Sequence, residues 1–464
     1  MPDRAPADNR TALDVGQLLD DGRWTACQQR LVLLTALAII FDGADNQLLG
    51  TAVPAMIRDW HVARAAFAPV LALGFVGMMI GGAVAGLAGD RLGRKSALVG
   101  SVVLFGVATA AAGAVQGIQG LAVTRFFAGI GLGGALPNAA ALAAEFVPRR
   151  HRALAVTLTI VCVPLGGTLA GLLALRVLPT LGWRMLFAIG GAIPMAAAIL
   201  LAVALAESPR YLLTRPARRM ELMALLRRMG HAVADGTPFV ETARATPDLP
   251  AGAHSAKAGV GALLTPDRRS DTIALWFAFF SCLLAVYLGF NWIPSMLTGA
   301  GLSPQTGSTG ITMFNLGGVA GAIAGALTFA RAGSRVTMLT LVAGAVLGAV
   351  GLAALHIDAT TSTLGIIVML TLTGGFINAV QTTMYALAAQ MYPTEIRATG
   401  VGTAVALGRS GAILSTYAGT WALDAGGPRA FFLAVGGAMI ASGLALAAIR
   451  RHIPAASDAG ARTE

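Results

Sequence analysis

Asp42 and Asp45 stand three residues apart in an otherwise apolar run that begins near Leu31, with Asn46 beside them. On a helix, i and i+3 share one face, so both carboxylates point the same way. They lie about 11 to 14 residues into the run, roughly 16–21 Å along a helix and close to the middle of a hydrocarbon core. An ionised Asp at that depth costs at least ~2.5–3.5 kcal/mol, so it must face water or a partner. Arg409 sits about 11 residues into another apolar run, at comparable depth. Its guanidinium cannot discharge, and its planar fork matches a carboxylate in bidentate geometry. The chemistry on offer is proton uptake and release by the acids and anion binding by the Arg. A permanent ion pair between Arg409 and one of the acids, or a polar site that bends the helix, is the purely structural alternative.

Other polar residues in apolar runs are weaker candidates. Arg125 near the end of a span either snorkels to the interface or joins a proton path. Asn138, Tyr287, Asn291, Asn378 and Gln381 are candidate cavity groups, with interhelical hydrogen bonding as the competing role. Trp60, Trp183 and Trp292 near span ends read as interface anchors. All six His fall in predicted loops or tails, and Cys27, Cys162 and Cys282 are far apart. No metal site, disulfide framework or cofactor is expected from such spacing. Gly129-Ile130-Gly131-Leu132-Gly133-Gly134 satisfies a dinucleotide-loop pattern, but it lies in an apolar span with no strand before it, so helix packing explains it. An HExxH helix and a G-x-S-x-G elbow are both missing, and no enzyme is expected.

The elements that must position these residues follow from composition. The chain is 56% hydrophobic and 12% charged with mean hydropathy +0.72, against roughly 25% charged for a soluble domain. The apolar residues fall in blocks long enough to cross a bilayer. Twelve spans are predicted, near 31–57, 67–89, 96–115, 121–146, 153–178, 184–206, 271–297, 308–330, 336–355, 363–390, 399–423 and 430–450. Residues 1–30 form a tail without an apolar core of its own, 31–206 a first six-helix half, 207–270 a central loop, 271–450 a second half and 451–464 a second tail. The net charge of +11 is assigned to loops on one side and not to nucleic acid. Arg91, Arg94, Lys95, Arg149, Arg150, Arg152, Arg331, Arg335, Arg397, Arg450 and Arg451 share that side with the Arg-rich central loop, which places both termini in the cytoplasm.

The halves echo each other. Ala143-Ala144-Glu145-Phe146-Val147-Pro148-Arg149-Arg150-His151-Arg152-Ala153 aligns with Ala388-Ala389-Gln390-Met391-Tyr392-Pro393-Thr394-Glu395-Ile396-Arg397-Ala398, and Gly86 to Lys95 aligns with Ala326 to Arg335. The first copy of the shorter repeat, with Gly86, Asp90, Arg91, Gly93 and Arg94, fits the G-x-L-a-D-R-x-G-R-K loop signature of the major facilitator superfamily, and the second has Ala330 where the acid would sit. Asp90, with Glu145, Arg152 and Arg397, is expected to cap a helix end and form a breakable latch. Glu207-Ser208-Pro209-Arg210 resembles the close of that superfamily's sixth helix, and Arg125-Phe126-Phe127-Ala128-Gly129 its fourth-helix pattern.

A narrower likeness is carried by Asp42-Gly43-Ala44-Asp45, which resembles the D-G-x-D motif of the aromatic acid:proton symporter family, with Ala44 in place of the usual Phe. Ala135-Leu136-Pro137-Asn138, Asn291-Trp292-Ile293-Pro294 and Gly408-Arg409-Ser410-Gly411-Ala412 add to it. The resemblance implies an all-α membrane protein of twelve transmembrane helices in two pseudo-symmetric halves. It further implies a proton-coupled importer of small aromatic carboxylates in a bacterial inner membrane, working as a monomer. The same fold also serves exporters and importers of other metabolites, and those remain alternatives. The proton-coupled scheme requires Asp42, Asp45 and Arg409 to line one cavity.

Overall fold

The computed structural model describes residues 13–231, 233, 238–240, 260–393 and 396–454. The expected tails and central loop therefore lie partly outside the described residues, as do Thr394 and Glu395 of the longer repeat. Ten long apolar helices dominate: α1 (Ala26–Trp60), α2 (Phe67–Leu92), α3 (Arg94–Ala112), α4 (Ile118–Phe146), α5 (Arg152–Ala204), α6 (Arg269–Gly299), α7 (Pro304–Ala332), α8 (Ser334–Ala354), α9 (Thr363–Met391) and α10 (Arg397–Ala448). Helix α5 runs 53 residues and α10 runs 52. At 1.5 Å per residue each is more than twice a ~30 Å hydrocarbon core. Each is interrupted, α5 at Gly182 and α10 at Gly426 and Gly427, so each makes two crossings. Counted that way the helices supply the twelve predicted spans.

Local chemistry sets the boundaries. A capping box between Thr25 and Gln28 starts α1, and Ser303 caps α7 ahead of a Pro in its first turn. Large apolar side chains such as Val203, Leu347, Leu364 and Trp421 point outward with more than two thirds of their surface exposed. On a soluble protein such a belt would aggregate; on a membrane protein it is the lipid face.

Two six-helix halves pack side by side, α1 to α5 against α6 to α10. The short helix Val15–Asp20 and the central-loop helices Pro209–Leu213 and Arg219–Arg228 cover the loop end of the first half. Their Val15, Leu19, Leu212, Leu222 and Leu226 join its core. Leu13–Asp14 pairs in parallel with Phe239–Val240 in that layer. The end of the molecule that carries Gly93, Arg152 and Arg397 is called the basic end below, and the other the opposite end.

Candidate functional site

Gly43 explains why Asp42 points where it does. A side chain there would run into the backbone of Val163, so α1 lies directly on α5. That packing turns Asp42 into a cavity between the halves, which it lines with Asn46, Tyr287, Asn378, Gln381 and Arg409. The cavity measures about 60 Å³, well under the ~150 Å³ of a site that holds benzene, so an aromatic guest requires the walls to part. Met78, Leu132, Val163, Leu283 and Tyr385 supply its apolar lining.

The polar groups of this cavity join the halves. Asn46 donates to the Tyr287 hydroxyl at 3.3 Å. Arg409 Nη1 donates to the Met78 carbonyl of α2 at 2.6 Å. Buried Asp42 Oδ1 has no protein partner, and among the described residues no ion pair joins Asp42 to Arg409. A permanent salt bridge is thus not what holds Arg409; a carbonyl is. The Asn378 amide donates to its own helix at Gly374, 2.9 Å away.

Asp45 departs from the expectation that both acids share the cavity. It turns into the first half, where Arg125 Nη2 meets Oδ2 at 3.3 Å and the Thr109 hydroxyl donates to Oδ1. The two side chains are 0% and 6% exposed, so Arg125 does not snorkel. Asn138 is also elsewhere: its amide donates to Ala85 at 3.1 Å and Gly134 at 2.9 Å, stitching α4 to α2. Asn291 lines a separate small space beside Arg125. Trp292 is no interface anchor; it is buried and donates to the Ser415 carbonyl at 3.2 Å.

At the basic end the expected latch residues pair within their own half. Asp90 does not cap a helix; it pairs with Arg94 at 2.7 Å, and Arg94 Nε stands 3.9 Å from Glu145. Glu207 is the residue that closes the start of α3, accepting from the Lys95 backbone N–H at 3.0 Å, where a side chain on Gly93 would collide with it. Glu145 accepts from the Ser208 hydroxyl, while Arg152 pairs with Asp20 and donates to Ala144 at 3.0 Å. Arg397 is exposed and reaches the Tyr392 carbonyl at 3.4 Å. In the second half, where Ala330 replaces the acid, the chain after α10 substitutes: Ser334 donates its N–H to Ile453 at 2.9 Å and its hydroxyl meets His452 Nδ1 at 2.9 Å.

The halves touch at mid-depth and toward the opposite end. Gln47 and Asn315 exchange reciprocal amide hydrogen bonds of 2.9 and 2.6 Å, and Arg64 pairs with Asp424 at 3.8 Å. Side chains built on Gly86 of α2 or Gly402 of α10, on the faces that continue from Arg409 toward the basic end, would meet nothing within 4 Å. Those two positions are unfilled where α2 and α10 continue from Arg409 toward the basic end. Gln47, Thr109, Asn315 and Glu207 carry this arrangement without having stood out individually in the sequence. The one signal for the first three was a polar side chain inside an apolar span.

The sequence pattern of the Major Facilitator Superfamily (MFS_1) matches residues 35–416. The "Gallate transporter" of Pseudomonas putida is 35% identical over 438 residues, covering 94% of this chain and 95% of that one. The "4-hydroxybenzoate transporter PcaK" of Pseudomonas putida is 31% identical over 418 residues, covering 89% and 90%. Among solved structures, the xylose transporter XylE from E. coli in a partially occluded inward open conformation matches with a TM-score of 0.71 at 16% identity, covering 92% of this chain and 99% of that one. At that identity the likeness is one of fold.

Proposed function

Because the chain belongs to the major facilitator superfamily and, within it, to the aromatic acid transporters, we propose that it imports a small aromatic carboxylate together with a proton. It is a multi-pass membrane transporter and not an enzyme. Placed by its loop charge, the basic end faces the cytoplasm of a bacterial inner membrane, both termini are cytoplasmic, and a single chain suffices. On that sidedness the unfilled positions at Gly86 and Gly402 lie on the cytoplasmic side of the cavity.

The observation that carries the reading is an acid and an undischargeable cation facing one cavity from opposite halves, Asp42 on α1 and Arg409 on α10. With the site empty, Asp42 faces the guanidinium across the cavity, and that positive charge favours its ionised form. An arriving aromatic anion takes the fork of Arg409. Asp42 then stands without its cation in a site that excludes water, and it accepts a proton. Substrate and proton cross as a nearly neutral unit while the halves rock about them. The cytoplasm, at higher pH, removes the proton, and the restored carboxylate competes the anion off. Engaging substrate also draws Arg409 from the Met78 carbonyl, so occupancy bears on the α2–α10 contact. Asp45, sealed with Arg125 and Thr109, serves the proton and not the substrate. Tyr287, Asn46, Asn378 and Gln381 are the groups offered to ring substituents, and the Asp90, Arg94 and Glu145 cluster re-pairs when the basic end closes.

Radiolabelled uptake of hydroxylated benzoates into energised vesicles, with and without a protonophore, tests this. Uptake is expected to collapse with the protonophore, and Asp42→Asn and Asp45→Asn are each expected to cut gradient-driven uptake about tenfold or more. Wild-type rates in both variants would remove the scheme.

A further inference from the structure

Between the central cavity and the Arg125–Asp45 pair lies a second space of about 20 Å³. It shares Asn46, Met78 and Leu132 with the cavity, and Arg125 and Asn291 also line it. Arg125 Nη1 and Asn291 Nδ2 are both buried and have no protein acceptor. They come from opposite halves, α4 and α6. A buried donor without an acceptor is costly, and a charged one more so. With the Asn291 amide oriented as it is, neither donor satisfies the other, and an acceptor in the space they both line would serve both.

A water needs roughly 10–15 Å³ and two to four polar partners. This space has room for one. A water oxygen accepts from Arg125 and from Asn291, and Asn46, whose amide donates to Tyr287, leaves its carbonyl oxygen to take a hydrogen back. Asp45 already neutralises the guanidinium, so a neutral acceptor suits the space better than an anion.

We propose that a single water held by Asn291 bridges Arg125 to α6, and that through it the ion pair buried in one half senses the position of the other. Asn291 is then a positioning residue for proton coupling, a role that rests on the symport reading above. Arg125 divides its two amino groups, one on Asp45 and one on the bridge. Rocking that separates α6 from α1 breaks the bridge and frees that amino group, so the grip on Asp45 changes with the state of the carrier. Without the bridge, protonation and rocking lose register and the carrier slips. The ionisable groups around this region are Asp42 and Asp45 on α1, Arg125 on α4, Tyr287 on α6, Tyr385 on α9 and Arg409 on α10.

The test uses the full chain in proteoliposomes and two assays, accumulation of a labelled hydroxybenzoate under an imposed pH gradient and counterflow exchange without one. Asn291→Leu, with the same branched shape, somewhat bulkier and without a donor, is expected to lower accumulation about tenfold while exchange stays within about twofold and loses its wild-type pH profile. Asn291→Ser keeps a donor and leaves room for a second water, and is expected to recover accumulation to within about threefold of wild type. Gly74→Ala is an independent probe. Its added methyl meets only the Arg125 carbonyl at 3.6 Å, so it packs without strain while taking volume from the space. It should lower accumulation in the same selective way. Wild-type accumulation in Asn291→Leu and Gly74→Ala would overturn the bridge alone, as would an equal fall of accumulation and exchange. A raised KM confined to hydroxylated rings, with benzoate unaffected, would make the space a ring-hydroxyl pocket and overturn it too. Wild-type accumulation that ignores the pH gradient would overturn the symport reading and the bridge with it.

Discussion

Arg409 holds two kinds of partner within reach: the Met78 carbonyl it now donates to, and the cavity that Asp42 shares with it. A guanidinium does this well because its donors are fixed in a plane and can be split between acceptors. Arg409→Lys keeps the charge and loses the fork. It is expected to raise the KM for the carboxylate about tenfold or more, with thermal stability unchanged, as read by uptake kinetics and a melting curve on purified protein. Asp42 and Arg409 were legible in the sequence because a charge deep in an apolar run is conspicuous. The parting of Asp45 from Asp42 was not. Residues three apart on a helix are about 60° apart around its axis, which is one face by spacing yet enough to meet different neighbours. Which neighbour each meets depends on Val163, Thr109 and Arg125, all distant in sequence. Asn138 and Asn291 were placed in the cavity for the same reason: an Asn in a span announces a hydrogen bond without naming its partner.

Helices were the most legible level, since a bilayer demands about twenty apolar residues per crossing and the sequence supplies them in blocks. The breaks in α5 and α10 fall in the predicted gaps between spans. The layer at the basic end was not foreseen. Arg219–Arg228 is ten residues with four buried positions, and Leu13–Asp14 is a strand of two, both too short for periodicity to register. The packing of α1 on α5 makes a sharp prediction. The obstacle at Gly43 is the Val163 backbone, which cannot rotate aside, so Gly43→Leu is expected to abolish uptake and lower the melting temperature by several degrees. Asp42→Asn, one residue away, should melt as wild type. Thermal scanning of the two variants side by side separates a packing role from a chemical one.

At the opposite end the halves are tied together in this conformation by Gln47 with Asn315 and Arg64 with Asp424, beside a cleft of about 350 Å³ lined by Thr51, Arg58, Pro294 and Ser308. A side chain on Gly171 of α5 would run into Thr312 of α7, so Gly171→Leu is expected to hold that end apart. Uptake should fall about tenfold or more. In the Gly171→Leu background, Ser308→Cys, buried at this end in the present conformation, should react faster with a membrane-impermeant maleimide, and Gly402→Cys, exposed at the basic end, more slowly with a permeant one. Among the contacts that tie that end together, the paired amides of Gln47 and Asn315 are of a particular kind. Each gives one hydrogen and takes one, and neither carries net charge. Parting them costs the same at any acidity and moves no gating charge through the transmembrane voltage. That clasp answers to neither acidity nor voltage, which act instead on the charged side chains of the carrier.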